Sequence, residues 1–215
     1  MTFTEYLALR WPEIMLRAIQ HAEVVLISVA VATLIAVLLA IVVQSRPVLR
    51  QLALSLTGTM LTIPSFALFG LLITFLGLGP APTIVALVLY AIFPILRNAV
   101  TGLDSVPAEI IDAARGMGLS RRSLLVTVRV PLAWPVVLNG IRVATIMNIA
   151  IAAIAAAVAG PGLGILIFDG LARIGGANAL NDTLAGVLGI AVLAVFLDAV
   201  FRLVSRLTTS RGIRG

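Results

Sequence analysis

Long uncharged runs alternate with short charged intervals along most of this 215-residue chain. Residues 24–43, for example, contain no charged side chain. At 1.5 Å per residue, such a run crosses the ~30 Å hydrocarbon core of a bilayer as a helix. The pattern predicts an all-α polytopic membrane protein with about five transmembrane helices. The expected spans cover residues 22–44, 51–77, 82–103, 132–159 and 182–203.

The first twenty residues have a different pattern, in which charged and apolar side chains alternate at roughly helical spacing. We expect residues 1–20 to form an external amphipathic helix at the membrane interface, anchored by Tyr6 and Trp11. A contact with a partner subunit is the alternative. The charges and the lack of an apolar core also argue against a cleavable signal peptide.

Prolines, glycines and a few charges modify the predicted spans. Pro64 lies inside the second run and is expected to bend that helix. The fourth span is expected to start near Pro135, which leaves Arg142 at the membrane edge or facing another subunit. The glycine-rich residues 160–182 predict a re-entrant or external loop with a short helix. Asp198 lies four residues before Arg202, a spacing that predicts an ion pair on a helix.

Composition excludes several classes of protein. Hydrophobic residues make up 61% of the chain and charged residues 11%, against ~45–50% and ~25% in soluble domains. The chain has no cysteine and one histidine, so thiol chemistry and Cys/His metal sites are excluded. No catalytic constellation can be assembled from what remains, and we expect no metal, no cofactor and no enzymatic activity on this chain.

The arginines predict an orientation. All fifteen basic residues are arginine, and the positive-inside rule explains the net charge of +6 better than nucleic-acid binding does. With five spans and a cytoplasmic basic tail at residues 207–215, most arginines fall inside, three fall outside (Arg10, Arg17 and Arg173) and Arg142 stays unassigned. The eleven expected inside are Arg46, Arg50, Arg97, Arg115, Arg121, Arg122, Arg129, Arg202, Arg206, Arg211 and Arg214. The N-terminus is therefore predicted outside and residues 109–131 in the cytoplasm.

The interval 104–130 has the pattern of a helix, a turn and a second helix. Asp104 or Ser105 is expected to cap the first helix, which should end at Gly116 or Gly118. Ser120 is expected to cap the second helix, and Pro131 to interrupt it before the fourth span. Small alanines would give the first helix a smooth face, suited to a groove on another protein.

The same interval resembles the loop signature of binding-protein-dependent ABC importer permeases. The sequence DAARGMG is followed by nine residues and then VRVP, whereas the signature has Glu-Ala-Ala, three residues, Gly, nine residues and Ile-x-Leu-Pro. Four positions match and three carry conservative replacements. The matches are Ala113, Ala114, Gly118 and Pro131, and the replacements are Asp112, Val128 and Val130. Residues 62–72, 90–98, 131–142 and 160–164 resemble the quaternary-amine branch of the family.

This resemblance implies a permease subunit in a bacterial inner membrane, with the fold of type I ABC importers. Its implied partners are a cytoplasmic ATPase dimer, a second permease chain and an external substrate-binding protein. ATP and Mg²⁺ would bind the ATPase, since this chain has no GxxxxGK[ST] loop. The implied substrates are osmoprotectants such as glycine betaine, choline and carnitine. The residues expected to couple transport to ATP hydrolysis are Glu109, Asp112, Ala113, Ala114, Arg115, Gly116, Gly118 and Pro131.

Two alternative functions remain open from the sequence: an ABC permease for another small polar solute, such as an amino acid, and a non-ABC secondary transporter. The spans contain almost no ionisable groups at depth, which argues against a proton or sodium relay. Aromatic rings could stabilise a quaternary amine in transit, although they could equally pack against helices or lipid. Candidates for the translocation path are Pro64, Phe66, Tyr90, Phe93 and Asn148.

Overall fold

The computed structural model describes residues 1–208, so Arg211, Arg214 and most of the predicted basic tail lie outside the described residues. All regular secondary structure in the described residues is helical, which confirms the all-α class. A π-helical turn at Leu125–Arg129 joins the sixth helix to the seventh, and a 3₁₀ turn, Ala155–Val158, follows the seventh. The helices are α1 (Phe3–Val43), α2 (Pro47–Met60), α3 (Ser65–Leu76), α4 (Pro80–Asp104), α5 (Ala108–Gly116), α6 (Arg121–Leu124), α7 (Val130–Ile154), α8 (Gly164–Ala172) and α9 (Ala179–Thr208).

Helix α4 is at the centre of the bundle, with α1 and α7 packed against it, while α9 packs on α7, α8 and α1. Small residues allow this close packing, as membrane helices without a hydrophobic driving force require. Ala32, Ala36 and Ala40 form a fully buried stripe along α1. A Cβ atom added at Gly140 of α7 would stand 2.6 Å from Cβ of Asn98 on α4. These two helices are therefore as close as glycine permits.

The number of spans agrees with the prediction if α2 and α3 are counted together. Among the described residues, four helical segments are long and apolar enough to cross a membrane alone, and α2 with α3 could provide a fifth crossing. These two helices meet at 93°. The expected single helix with a bend at Pro64 is therefore replaced by two helices. Pro64 directly precedes α3 and has an extended backbone conformation. Proline has no N–H to donate and therefore disfavours the interior of a helix.

Helix α1 differs from the prediction at its start. It runs unbroken through 41 residues, about 60 Å at 1.5 Å per residue. Residues 3–20 are thus the beginning of the first span's helix and not a separate segment. Tyr6, expected at the lipid interface, is fully buried because its hydroxyl donates a hydrogen bond to the buried Asp182 carboxylate of α9. Trp11 is 55% exposed, so it remains available as an interfacial anchor.

The prediction that Pro131 interrupts the second helix of the loop is wrong. The chain stays helical from α6 through the π-helical turn into α7, and Pro131 lies in the first turn of α7. In the π-helical turn the N–H of Val130 donates to the carbonyl of Leu125, five residues back. The wider turn changes the hydrogen bonding just before a residue that has no N–H to contribute.

The bundle has two distinct ends. At the end that contains α5 and α6, here called the loop end, Arg50 pairs with Asp104 at 2.6 Å and Arg129 donates to the Leu103 carbonyl at 2.9 Å. At the opposite end Tyr6 contacts Asp182, and the 160–164 segment packs on His21 of α1. The fold thus gathers the residues predicted as cytoplasmic at one end, while the side of the membrane that this end faces stays a prediction.

Candidate functional site

Helix α5 projects from the loop end and packs on α6. It begins directly after Pro107, and no side chain caps it. The predicted capping residues have other partners: the Asp104 carboxylate accepts from Arg50 at 2.6 Å, and the Ser105 hydroxyl donates to the Gly102 carbonyl at 2.8 Å. The prediction of a cap at Asp104 or Ser105 is therefore wrong, because tertiary contacts and the end of α4 use these groups.

The turn after α5 agrees with the prediction. The helix ends at Gly116, and Gly118 adopts a φ of +83°, in the region that favours glycine. The N–H of Leu119 returns to the Ala114 carbonyl at 3.2 Å. The Ser120 hydroxyl then accepts from the Ser123 N–H at 3.2 Å and caps α6. The glycine turn and this second cap are confirmed.

The charged residues of α5 are solvated. Glu109, Asp112 and Arg115 are all exposed. Asp112 and Arg115 form an ion pair at 3.4 Å with side chains 72% and 66% exposed, a contact that contributes little to stability. These three side chains thus offer a partner both signs of charge on one short helix.

The two alanines of α5 do not share one smooth face. Ala113 is exposed, whereas Ala114 is only 2% exposed and points toward the protein. Successive helix positions are about 100° apart, so neighbouring residues seldom face the same way. The predicted face is corrected: Ala113 contributes to it, and Ala114 packs α5 in place. Pro131, also predicted to act in coupling, lies in the first turn of α7.

Two exposed apolar side chains complete a surface that the sequence reading missed. Ile110 is 41% exposed and Met117, just after α5, is 74% exposed. With Ala113 they have spacings of three and four residues, which places them along one side of a helix. We call Ile110, Ala113 and Met117 the docking stripe. The signal was present in the sequence as an apolar periodicity inside a charged interval.

The residues predicted for the translocation path lie around α4. The Tyr90 hydroxyl donates to the Ile63 carbonyl at 2.7 Å, at the bend next to Pro64. Phe66 follows on α3 and is 63% exposed, so these three residues cluster at the α2–α3 junction. The ring of Phe93 lies against Gly58 of α2.

Asn148 lies on α7 and is fully buried. Its side-chain nitrogen donates to the Leu87 carbonyl at 3.0 Å, and its Oδ1 is buried without a hydrogen-bond partner among the described residues. Tyr90 and Asn148 thus both donate to backbone carbonyls of other segments of the same chain. Their role in a path stays a prediction.

Similarity to known proteins extends over nearly the whole chain. The family described as "Binding-protein-dependent transport system inner membrane component" matches residues 32–210. The osmoprotectant import permease protein OsmW of Salmonella typhimurium is 37% identical over 200 residues, or 91% of each chain. The glycine betaine/carnitine/choline transport system permease protein OpuCB of Bacillus subtilis is 31% identical over 205 residues, covering 94% of this chain and 92% of that one.

A solved structure shows the same fold. In inward-facing conformations of the MetNI methionine ABC transporter, one chain superposes with a TM-score of 0.79 at 22% identity. The match covers 93% of this chain and 99% of that one. The family match, the full-length relatives and the shared fold lead to one conclusion. The chain belongs to the binding-protein-dependent transport system inner membrane components, the permease subunits of ABC importers.

Proposed function

We propose that this permease forms the translocation path for osmoprotectants of the quaternary-amine type, such as glycine betaine, choline or carnitine. The observation that carries the proposal is the similarity to permeases named for these solutes, which extends over more than nine-tenths of the chain. Family membership alone fits many solutes, and the fold shared with a methionine transporter does not select one.

The lining chemistry is compatible with such solutes. Ionisable side chains are nearly absent from the middle of the spans, so a cation at the middle of the membrane would meet no carboxylate that holds it tightly. Aromatic side chains lie near the α2–α3 junction, where Phe66 is exposed, and aromatic faces attract quaternary ammonium groups. A path with weak affinity leaves selection mainly to the external binding protein.

The docking stripe is the proposed contact with a separate cytoplasmic ATPase, which would bind ATP and Mg²⁺. A ridge of Ile110, Ala113 and Met117, rimmed by exposed charges, has the apolar centre and polar rim of a protein interface. The complete transporter would contain two ATPase subunits, a second permease chain and an external binding protein. The arginine distribution supports an arrangement with the loop end in the cytoplasm and the N-terminus outside.

Uptake by reconstituted transporter tests the substrate class. The permease is assembled with its ATPase and binding protein, placed in proteoliposomes containing ATP, and offered labelled glycine betaine, choline, carnitine or methionine. We expect ATP-dependent uptake of at least one quaternary amine and none of methionine. Uptake of an amino acid alone would overturn the substrate assignment. Uptake driven by an ion gradient without ATP would indicate a secondary transporter.

A further inference from the structure

A cavity lined by arginines lies between α7 and α9 near the loop end. Its volume is about 250 Å³, several times the ~30 Å³ that a water molecule occupies in the liquid. No residue of the 104–130 interval lines it. Its polar lining residues are Asn139, Arg142, Arg202, Ser205 and Arg206.

Asp198 fixes two of these arginines in place. Its Oδ1 accepts from Nε of Arg142 at 2.5 Å, and its Oδ2 accepts from Nε of Arg202 at 2.7 Å and also from Nη2 of that residue. The predicted pair between Asp198 and Arg202 is thus confirmed, and Arg142, left unassigned by charge counting, joins it. Two guanidinium groups share one carboxylate, so the cluster carries a net charge of +1.

Arg142 retains hydrogen-bonding capacity on the cavity side. Its bond to Asp198 uses Nε, and within residues 1–208 no other acceptor contacts its guanidinium group. The group is planar and its donors diverge in a fixed fork, a geometry that matches phosphate and carboxylate oxygens. Asp198 holds the fork in position before any ligand arrives.

The depth of the cluster can be estimated from helix length. About twenty helical residues cross the hydrocarbon core. If the opposite boundary of the hydrocarbon core is taken at Val158 and Ala179, this distance leads to about Leu138 on α7 and about Asp198 on α9. On this estimate Asp198 and Arg202 lie at the hydrocarbon boundary of the loop-end leaflet and Arg142 about one helical turn inside it, a distance over which an arginine side chain can extend toward lipid headgroups.

The surface next to the cluster, on the side of the bilayer centre, is apolar and exposed. Val195 and Leu188 precede Arg202 by seven and fourteen residues and so lie on the same side of α9, with exposures of 71% and 49%. On α7, Ile146 follows Arg142 by one turn and is 37% exposed. A ligand with an anionic head and hydrocarbon chains fits both parts of this surface, whereas a soluble acidic protein would contact only the head region.

We propose that this cavity binds the phosphate group of an anionic phospholipid in the loop-end leaflet. A phosphodiester carries one negative charge, which offsets the +1 of the cluster, and its oxygens accept charge-assisted hydrogen bonds from Arg142. The acyl chains would lie along α9 at Val195 and Leu188. Basic pockets between transmembrane helices recognise anionic headgroups by this chemistry.

Native mass spectrometry of the full-length permease assembled with its ATPase tests the proposal. Phosphatidylglycerol is titrated onto the complex, with phosphatidylethanolamine of the same chains and soluble glycerol 3-phosphate as separate probes. We expect saturable binding of phosphatidylglycerol and neither of the other two. R142Q/R202Q should weaken this binding at least tenfold. R46Q/R121Q removes the same two charges from the loop end, outside the cavity, and should weaken it less than twofold.

Several results would overturn the proposal. One is unchanged phosphatidylglycerol binding in R142Q/R202Q, and another is an equal loss in R46Q/R121Q, which would show general charge attraction. Binding of glycerol 3-phosphate as tight as that of the lipid would identify a site for soluble anions. If the double variant fails to assemble, R202Q replaces it, since the Arg202 side chain is 64% exposed and its loss removes little packing. Unchanged binding in R202Q would then contradict the proposal.

Discussion

At the scale of single residues, the contact between Gly162 and His21 joins the glycine-rich segment to the bundle. Nε2 of His21 lies 3.0 Å from the Ile149 carbonyl, and Nδ1 accepts from the Leu163 N–H at 3.3 Å. This pairing fits a neutral ring with its proton on Nε2. Gly162 has a φ of +126°, and a Cβ atom there would stand 2.8 Å from Nδ1 of His21. Glycine is required for both its backbone conformation and the absence of a side chain.

Gly162→Ala is therefore expected to lower stability through two effects. Backbone strain costs about 1–3 kcal/mol, and the contact with His21 adds overpacking of about 1–3 kcal/mol. Gly175→Ala is the matched control, because Gly175 also has a positive φ, of +84°, with no atom within 4 Å of the added Cβ. Thermal unfolding in detergent should show a larger loss for Gly162→Ala. Equal losses of stability would mean that His21 moves away from the added Cβ atom without an energetic cost.

Residues whose partners are near in sequence could be predicted, and those with distant partners could not. The Ser120 cap, the Gly118 turn and the pair of Asp198 with Arg202 all follow from spacings of four residues or fewer. Tyr6 and Asp182 are 176 positions apart, and no local pattern connects them. The expected cap at Asp104 fails for the same reason, since Arg50 reaches that carboxylate from another helix.

At the scale of elements, α5 combines an internal anchor with an external contact surface. Ala114 is buried against the protein while Ala113 faces outward. Substitutions on α5 therefore separate into those that disturb the loop and those that disturb docking. Ala114 and Gly118 belong to the first group, because one is packed inside and the other has a positive φ.

Ala113→Arg tests the docking stripe. A long charged side chain at its centre should block close contact with the ATPase, because the guanidinium would have to be buried without a partner. We expect normal membrane insertion and thermal stability, with at least a tenfold loss of substrate-stimulated ATP hydrolysis in the reconstituted transporter. Ala113→Ser, which keeps the side chain small, should retain most of the activity. Full stimulation in Ala113→Arg would remove α5 from the coupling contact.

Hydrophobic periodicity predicted the long helices well and their breaks poorly. Uncharged runs located four long helices, since the bilayer sets their length and composition. The junctions depend on more than local preference. Pro64 directly precedes α3, which meets α2 at 93° after a short break, whereas at Pro131 the chain stays helical after a π-helical turn. Proline shows where hydrogen bonding must change, and the surrounding packing determines how it changes.

At the scale of the whole molecule, the two ends differ in arginine content. The described arginines gather at the loop end, while Arg10, Arg17 and Arg173 lie toward the opposite end. The fold therefore brings to one end arginines that lie far apart in the sequence and that the positive-inside rule assigned to the same side of the membrane. Exposed residues at each end, such as Val48 and Ile174, make the orientation testable.

Cysteine labelling would determine the orientation directly, because the chain has no cysteine of its own. Val48→Cys at the loop end, outside the docking stripe, and Ile174→Cys at the opposite end replace side chains that are 77% and 80% exposed. In cells whose inner membrane is intact, a membrane-impermeant maleimide should label Ile174→Cys, and it should label Val48→Cys only after permeabilisation. The reverse pattern would place the loop end outside and contradict the proposed contact with a cytoplasmic ATPase.

The π-helical turn at Leu125–Arg129 has a consequence for helical phase. An α-helix rotates by about 100° per residue, so one extra residue accommodated in a wide turn offsets the faces of the helices on either side by that angle. The azimuth of α6, and of α5 packed on it, is therefore set relative to α7 by the number of residues in this turn. The direction in which α5 points from the loop end therefore depends on the number of residues in the turn as much as on their side chains.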